Sequence, residues 1–302
     1  MEEMTTGLCP KCGHTLQIPA ELERFSCMYC GERLTKRQLL TQPEEASCSE
    51  EDCAVSFDHA VSRLGWCVQN FRGYQKKILR DAFFEAFETY ETGCAPVIQE
   101  LNSGVRPERQ TELLDRAAEA MLDELSAGWE KKNDMEDEKV VLAIFFVPMV
   151  RKLQLPVSEE FVSLLQKKWV ERYPKSPFYL GDYESISGGF RKKFLGLCFI
   201  TTAVCQELGK PDDCAELTAF RAFRDGYLAA QPDGEALIRE YYNIAPGIVT
   251  CINTCSDRHA SYERIREQYL TPCYEDLLAG RNADCKTRYV QMVRDLEREY
   301  LH

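Results

Sequence analysis

Four cysteines near the start of the chain, Cys9, Cys12, Cys27 and Cys30, fall in two Cys-x-x-Cys pairs, each followed by a glycine, Gly13 and Gly31. Fourteen residues separate the pairs. Thiolates at this spacing can close around one tetrahedral Zn²⁺ at about 2.3 Å, and such an ion can stand in for the hydrophobic core that a small module lacks. The glycines allow the positive φ that turns the backbone amides toward the sulfurs. Four sulfurs fill the coordination sphere, so the expected chemistry is structural and leaves no open position for a substrate. His14, beside the first pair, is surplus to that sphere.

A second group begins at Cys198 and continues through Thr202, Arg221, Arg224, Asp225 and Tyr242. Its sharper reading has a helix restarting after Gly196 and lowering the thiol pKa of Cys198. Arg221 and Arg224 then present a double cation, while Thr202 and Tyr242 donate hydrogen bonds to an anionic ligand. The plainer reading makes Cys198 a small buried apolar group and Arg221–Asp225 an i,i+4 ion pair worth about 0.3–0.5 kcal/mol. Tyr241, Tyr242 and Pro246 would then fix a helix corner. A nucleophile needs a base, and the histidines after Cys198 are His259, on another helix, and His302, the last residue. The residues therefore favour a non-enzymatic protein, with a Cys198-dependent enzyme or an anion site as the alternative.

The remaining cysteines offer a third chemistry. Cys251 and Cys255 lie one helical turn apart and Cys198 and Cys205 two turns apart, so facing helices could gather four sulfurs around zinc or an iron–sulfur cluster. Cys214, Cys273 and Cys285 follow no ligand spacing and read as packing residues. Cys48 and Cys53 sit in an acidic stretch without further partners.

These groups must be positioned by helices. Past the cysteine pairs, residues 42–52 are polar, acidic and aperiodic, which reads as a linker. From Val55 on, apolar residues recur at three- and four-residue steps, the signature of amphipathic helices. Gly93 reads as a C′ residue, Pro107 as a helix start and Pro148 as a kink or stop after the apolar run Val140–Val147. Ser158-Glu159-Glu160 opens a helix to about Tyr173. Pro174, Pro177, Gly181 and Gly188-Gly189 predict irregular chain before helices at about Phe190–Leu208, Asp212–Ala230, Gly234–Ile244 and Pro246–Arg258. The expected fold is mainly α, a multi-helix body with a small amino-terminal β unit. It divides into a ribbon over 1–40, a linker over 41–54, and helical domains over 55–180 and 181–302.

The segments Gly7-Leu8-Cys9-Pro10-Lys11-Cys12-Gly13 and Cys27-Met28-Tyr29-Cys30-Gly31 resemble the zinc-ribbon family over about 35 residues, whose cysteine turns sit at the tips of short β-hairpins. Cys198-Phe199-Ile200-Thr201-Thr202-Ala203, then Phe220–Leu228 and Tyr241–Pro246, resemble the carboxy-terminal bacterial CFI-box domain, over about residues 196–255. Cys205 and Gln206 depart from it, standing where Tyr and Gly are usual. The first resemblance implies zinc at Cys9, Cys12, Cys27 and Cys30; the second implies a bacterial protein and no particular reaction.

Composition narrows the partners. The formal charge of −12 repels phosphate backbones and anionic bilayers. Between Cys9 and Leu40 five basic side chains face three acidic ones, with only Phe25 and Tyr29 to stack on bases, so a protein partner is expected before nucleic acid. The longest apolar runs are eleven residues, too short to span a bilayer. The start carries neither basic nor apolar signal regions, and fifteen cysteines suit a reducing compartment, so a cytoplasmic location is expected.

Overall fold

The computed structural model describes residues 4–8, 15–19, 22–29, 31–36, 49–131, 133–191, 198–254 and 257–302. It is mainly α, and among the described residues the short strands are confined to the amino-terminal end. The chain forms two compact units, Met1–Cys53 and Ala54–His302.

In the first unit, β1 (Met4–Leu8) pairs antiparallel with β2 (Thr15–Pro19), Leu8 opposite Thr15. β3 (Arg24–Ser26) pairs with β4 (Arg33–Thr35), Ser26 opposite Arg33. Each Cys-x-x-Cys pair therefore falls in the connection of its own hairpin. Leu16, Cys27 and Leu34 are buried together with Phe25 against them.

α1 (Glu50–Leu64) starts inside the stretch expected to be linker. Ser49 caps it: its Oγ accepts the Asp52 amide at 3.1 Å and donates to the Asp52 carboxylate at 2.7 Å. The acidity of Glu50, Glu51 and Asp52 thus serves the positive end of a helix dipole.

After α2 (Trp66–Gln69) and a 3₁₀ turn at Tyr74–Lys77, α3 runs unbroken from Phe83 to Gly104 through both Gly93 and Pro96. The expected stop at Gly93 does not occur, because burial of Phe87, Tyr90, Cys94, Val97, Ile98 and Leu101 along one stripe outweighs the weak helix preference of a single glycine. α4 (Gln110–Ala127) and α5 (Asp134–Val141) follow. A wider π turn at Leu142–Phe146 then leads into α6 (Val147–Lys152), so Pro148 enters a continuing helix. The π turn makes room for a ring that would clash with the carbonyl four residues back.

α7 (Ser158–Arg172) matches expectation, whereas α8 (Tyr183–Arg191) occupies chain expected to be irregular. The rest is α9 (Phe199–Glu207), α10 (Ala215–Ala222) with a π turn at Phe223–Leu228, α11 (Gly234–Thr254), α12 (Arg258–Ile265) with a π turn at Arg266–Leu270, α13 (Thr271–Leu278) and α14 (Asn282–Tyr300). The expected boundary near residue 180 does not divide the body. One buried cluster runs from Phe57 to Leu301, and Phe83 of α3 stacks on Phe190 of α8 at 4.3 Å and 9°.

The expected corner at Pro246 is absent too: α11 passes straight through it. Proline removes the amide that would bond the Tyr242 carbonyl, and an incoming segment engages the neighbouring Asn243. The Arg80 amide donates to the Asn243 carbonyl at 3.0 Å and the Asp81 amide to Asn243 Oδ1 at 3.1 Å. Gly247 makes this approach feasible, since a Cβ there would stand 1.9 Å from the Ile78 carbonyl oxygen. Elsewhere the core holds one fully buried carboxylate among the described residues, Glu138, which receives Arg72 Nε at 2.6 Å and Trp129 Nε1 at 2.8 Å. Burial raises its pKa despite both donors.

Two glycine substitutions should therefore move stability in opposite directions. Gly247→Ala should cost about 1–3 kcal/mol because backbone, not a flexible side chain, must shift. Gly93→Ala meets only Phe71 Cζ, at 3.7 Å, and should add about 0.5–1 kcal/mol by favouring the helix. Urea unfolding of both variants checks the pair; equal effects would remove the close packing of Ile78–Asp81 on α11.

Candidate functional site

The start of α9 is buried, so its unbonded amides need acceptors from elsewhere in the protein. Cys198 is the residue before the helix, and its carbonyl accepts the Thr202 amide at 2.6 Å. The Ile200 amide donates to the hydroxyl oxygen of Tyr241, on α11, at 3.0 Å. Tyr289 of α14 extends the chain, its hydroxyl 3.4 Å from Tyr241 and 3.2 Å from Thr201 Oγ1. Two helices thus close over the beginning of a third through phenolic oxygens.

The thiol of Cys198 sits at this junction. Arg224 Nη1 approaches its sulfur at 3.5 Å, while Arg224 Nε and Nη2 each donate to the Asp225 carboxylate at 2.7 Å. Tyr242 lies close enough to Arg224 for the guanidinium to oppose the desolvation of its phenol. Cys198, Arg224, Asp225 and Tyr242 are accordingly brought together as expected, but with different charges and roles. The Asp225 fork holds Arg224 charged and its own carboxyl below the usual range. The double cation is therefore not available to an anion: Arg224 is neutralised by Asp225, and Arg221 turns to Asp212, at 2.8 Å from its carboxylate and 2.8 Å from its carbonyl.

The expected Arg221–Asp225 pair fails for a geometric reason. Residues 223–228 form a π turn, whose wider winding breaks the i,i+4 alignment on which such a pair depends. The same turn places Arg224, 7% exposed, against Cys198.

Nor is the thiol activated. Burial pushes the Cys198 pKa up, and the opposing pull of Arg224 and Arg221 does not reverse it. His259 could not deprotonate it. That imidazole pairs with Glu207 at 3.4 Å, and Glu207 ends the helix that Cys198 begins, about 13 Å away along the axis at 1.5 Å per residue. Thr202 is buried and its Oγ1 has no hydrogen-bond partner among the described residues. Tyr242 is half-buried and its pKa is raised by desolvation.

A cavity of about 50 Å³ adjoins the junction, lined by Cys198, Arg224, Tyr241 and Tyr289 and otherwise mostly by apolar groups such as Phe220 and Val293. Arg221 and Tyr242 lie outside its lining. It falls well short of the several hundred Å³ of a usual small-molecule pocket. A larger polar cleft of about 450 Å³ opens beside Lys139, Arg264 and Gln75, but Lys139 is engaged by Glu136 and Ser176, and Arg264 by Glu299.

The sulfurs expected to converge do not. Among the described residues, the metal-capable donors that gather are Cys205, Cys214 and Glu216 rather than Cys198, Cys205 and Cys251; Cys255 lies outside the described residues. Cys53 is buried on α1, and Cys48 lies outside the described residues. Tyr241 was legible only as a corner residue, Thr201 only as a member of the quoted segment, and Tyr289 and Asp212 gave no sequence signal, because each acts on a position 9–88 residues away.

Of the expected zinc ligands, Cys27 is described, whereas Cys9, Cys12 and Cys30 lie outside the described residues. Cys27 is 2% exposed, its amide donates to the Glu32 carbonyl at 2.8 Å, and its own carbonyl accepts the Gly31 amide at 2.9 Å. Gly31 has φ +72°, the left-handed conformation anticipated after a cysteine pair.

Replacing Tyr241 with Phe removes the acceptor for a buried amide and should destabilise the body by about 1–3 kcal/mol. Measured by urea unfolding, an unchanged midpoint would show that the amide is satisfied otherwise. In the folded wild type, iodoacetamide at neutral pH should modify Cys198 at least about tenfold more slowly than in the unfolded chain; peptide mapping reads this directly. A scan against protein-family models and searches of curated proteins and of solved structures returned no match for this chain.

Proposed function

We propose that the chain is a zinc-binding, non-enzymatic protein in which an amino-terminal ribbon serves as a structural and partner-recruiting module on a helical body. The observation that carries this reading is the second hairpin turn: a buried Cys27, a turn closed by Gly31 at positive φ, and a Cys-x-x-Cys pair in the connection. Cys9, Cys12, Cys27 and Cys30 would hold the ion, which supplies tetrahedral cross-linking and no reaction.

Energetics favour a metal here. The buried cluster of Leu16, Cys27 and Leu34 contributes at most about 1.5–3 kcal/mol per side chain. Three side chains are a small core for two hairpins, and a structural metal is a common substitute for a larger one in a module of this size.

A protein partner fits better than nucleic acid. Met28 and Tyr29, at the tip of the second hairpin, are 78% and 57% exposed, an apolar point of contact on a chain of net charge −12. A protonated, buried Cys198 and a small cavity speak against the alternative of a Cys198-dependent enzyme or anion site. Cytoplasmic placement and a bacterial source belong to this proposal. No helix among the described residues is long and apolar enough to cross a membrane.

One equivalent of zinc should depend on Cys27 and Cys30: metal analysis of the full chain and of a Cys27→Ser, Cys30→Ser double variant should differ by one ion. Deleting residues 1–45 should leave the helical circular dichroism and cooperative unfolding of the body intact. Equal metal content in the two proteins, or collapse of the truncated body, would end this reading.

A further inference from the structure

We infer that Cys205, Cys214 and Glu216 form a second metal site, built on the α9–α10 turn and suited to Zn²⁺ or another thiophilic divalent ion with one exchangeable ligand. The inference is independent of the proposed ribbon and gives residues to the expectation of further metal in the carboxy-terminal half.

The turn holds the donors in place. Gly209, at φ +68°, ends α9, with its amide on the Gln206 carbonyl at 3.0 Å and the Lys210 amide on the Cys205 carbonyl at 2.8 Å. The Cys214 amide then donates to the Pro211 carbonyl at 3.1 Å, and α10 begins at the next residue. Cys205 thereby lies in the last turn of one helix, Cys214 immediately before the next and Glu216 in that helix's first turn. Such a backbone fixes three side chains on one side of a tight corner.

Distances match a metal better than a disulfide. The two sulfurs stand 3.8 Å apart, and all three donor atoms lie within 4.8 Å of one another. Two thiolates at about 2.3 Å from a tetrahedral zinc are separated by about 3.8 Å, so the pair already spans one edge of the coordination polyhedron. A disulfide would require the sulfurs to close to about 2.05 Å and gives the carboxylate no role.

Charge and space agree. Lys210 pairs with Glu216 and would offset the single negative charge left when two thiolates and a carboxylate bind a divalent ion. A cavity of about 10 Å³, close to the size of one water, is lined by Cys205, Glu216 and Arg266. Arg266, which lines the same cavity, has its Nε buried without a hydrogen-bond partner among the described residues.

Binding proceeds by exchange: each thiol that coordinates releases one proton to solvent, and the Glu216 carboxylate turns from the Lys210 ammonium to the ion. Because each bound sulfur displaces a proton, apparent affinity should fall on acidification.

The experiment uses the full chain with Zn²⁺ and with Co²⁺ as an optical probe. Wild type should hold one more equivalent than Cys214→Ser, in both the native and the Cys27→Ser, Cys30→Ser backgrounds, with thiolate-to-cobalt charge-transfer absorption lost in step. Glu216→Gln, which preserves size, should keep the fold and weaken Co²⁺ binding at this site by at least about tenfold. Failure of the ribbon reading would show as no loss in the Cys27, Cys30 background and leaves the Cys214 difference standing. Equal metal content in wild type and Cys214→Ser overturns the proposal. If Cys214→Ser does not fold, unchanged Co²⁺ affinity and spectrum in Glu216→Gln overturns it instead.

Discussion

The bond from the Ile200 amide to the Tyr241 hydroxyl sets the character of the carboxy-terminal half. A helix that begins inside a core exposes amides that water cannot reach, and leaving one unsatisfied costs about 1–3 kcal/mol. Solving that problem with a phenol from α11 fixes the spacing of the two helices. The junction then admits Tyr289 on one side and the Cys198–Arg224 contact on the other. The residues that looked like a reaction centre in sequence are, in space, the fittings of a buried helix start. Desolvation is the decisive quantity: it raises the thiol pKa and confines Arg224 to the one anion beside it.

Much of the fold was readable because helical periodicity and cysteine spacing are local signals. The amphipathic stripes gave α4 and α7 nearly to their ends, and short hairpins at the amino-terminal end were what the resemblance to a zinc ribbon implied. What misled were single residues weighed without their surroundings. Gly93, Pro148 and Pro246 each carry a local penalty of about 1–3 kcal/mol in a helix. Burial along α3, a π turn before α6, and the docking of Arg80 and Asp81 on α11 each meet that penalty from elsewhere in the chain. A one-residue change in winding was likewise invisible. The π turn at Phe223–Leu228 undid the Arg221–Asp225 pairing and replaced it with an adjacent Arg224–Asp225 fork and a reach back to Asp212.

The candidate site was legible in membership more than in chemistry. Cys198, Arg224, Asp225 and Tyr242 do meet, so the sequence pattern marked a real junction. Its chemistry depended on Tyr241, Tyr289 and Asp212, which the pattern either left in a minor role or passed over. Pairings across 41 and 88 residues depend on topology, and a single sequence carries no trace of them.

Sulfur in this protein divides by how many donors share it. Cys198 has one guanidinium in contact and a small, mostly apolar cavity, and under those conditions a thiol remains a thiol. Cys27 shares its hairpin turn with Cys30, and Cys205 shares a glycine-closed turn with Cys214 and Glu216. In both turns a left-handed glycine, Gly31 or Gly209, brings the chain back on itself within a few residues. The entropy of gathering the donors is then met once, by the backbone, and an ion arriving later need only displace protons. Burial raises the cost of a lone thiolate, and the same burial strengthens its attraction to a divalent ion. On the proposed reading, donor count at a tight turn, rather than thiol acidity, separates ligand from packing residue among these cysteines.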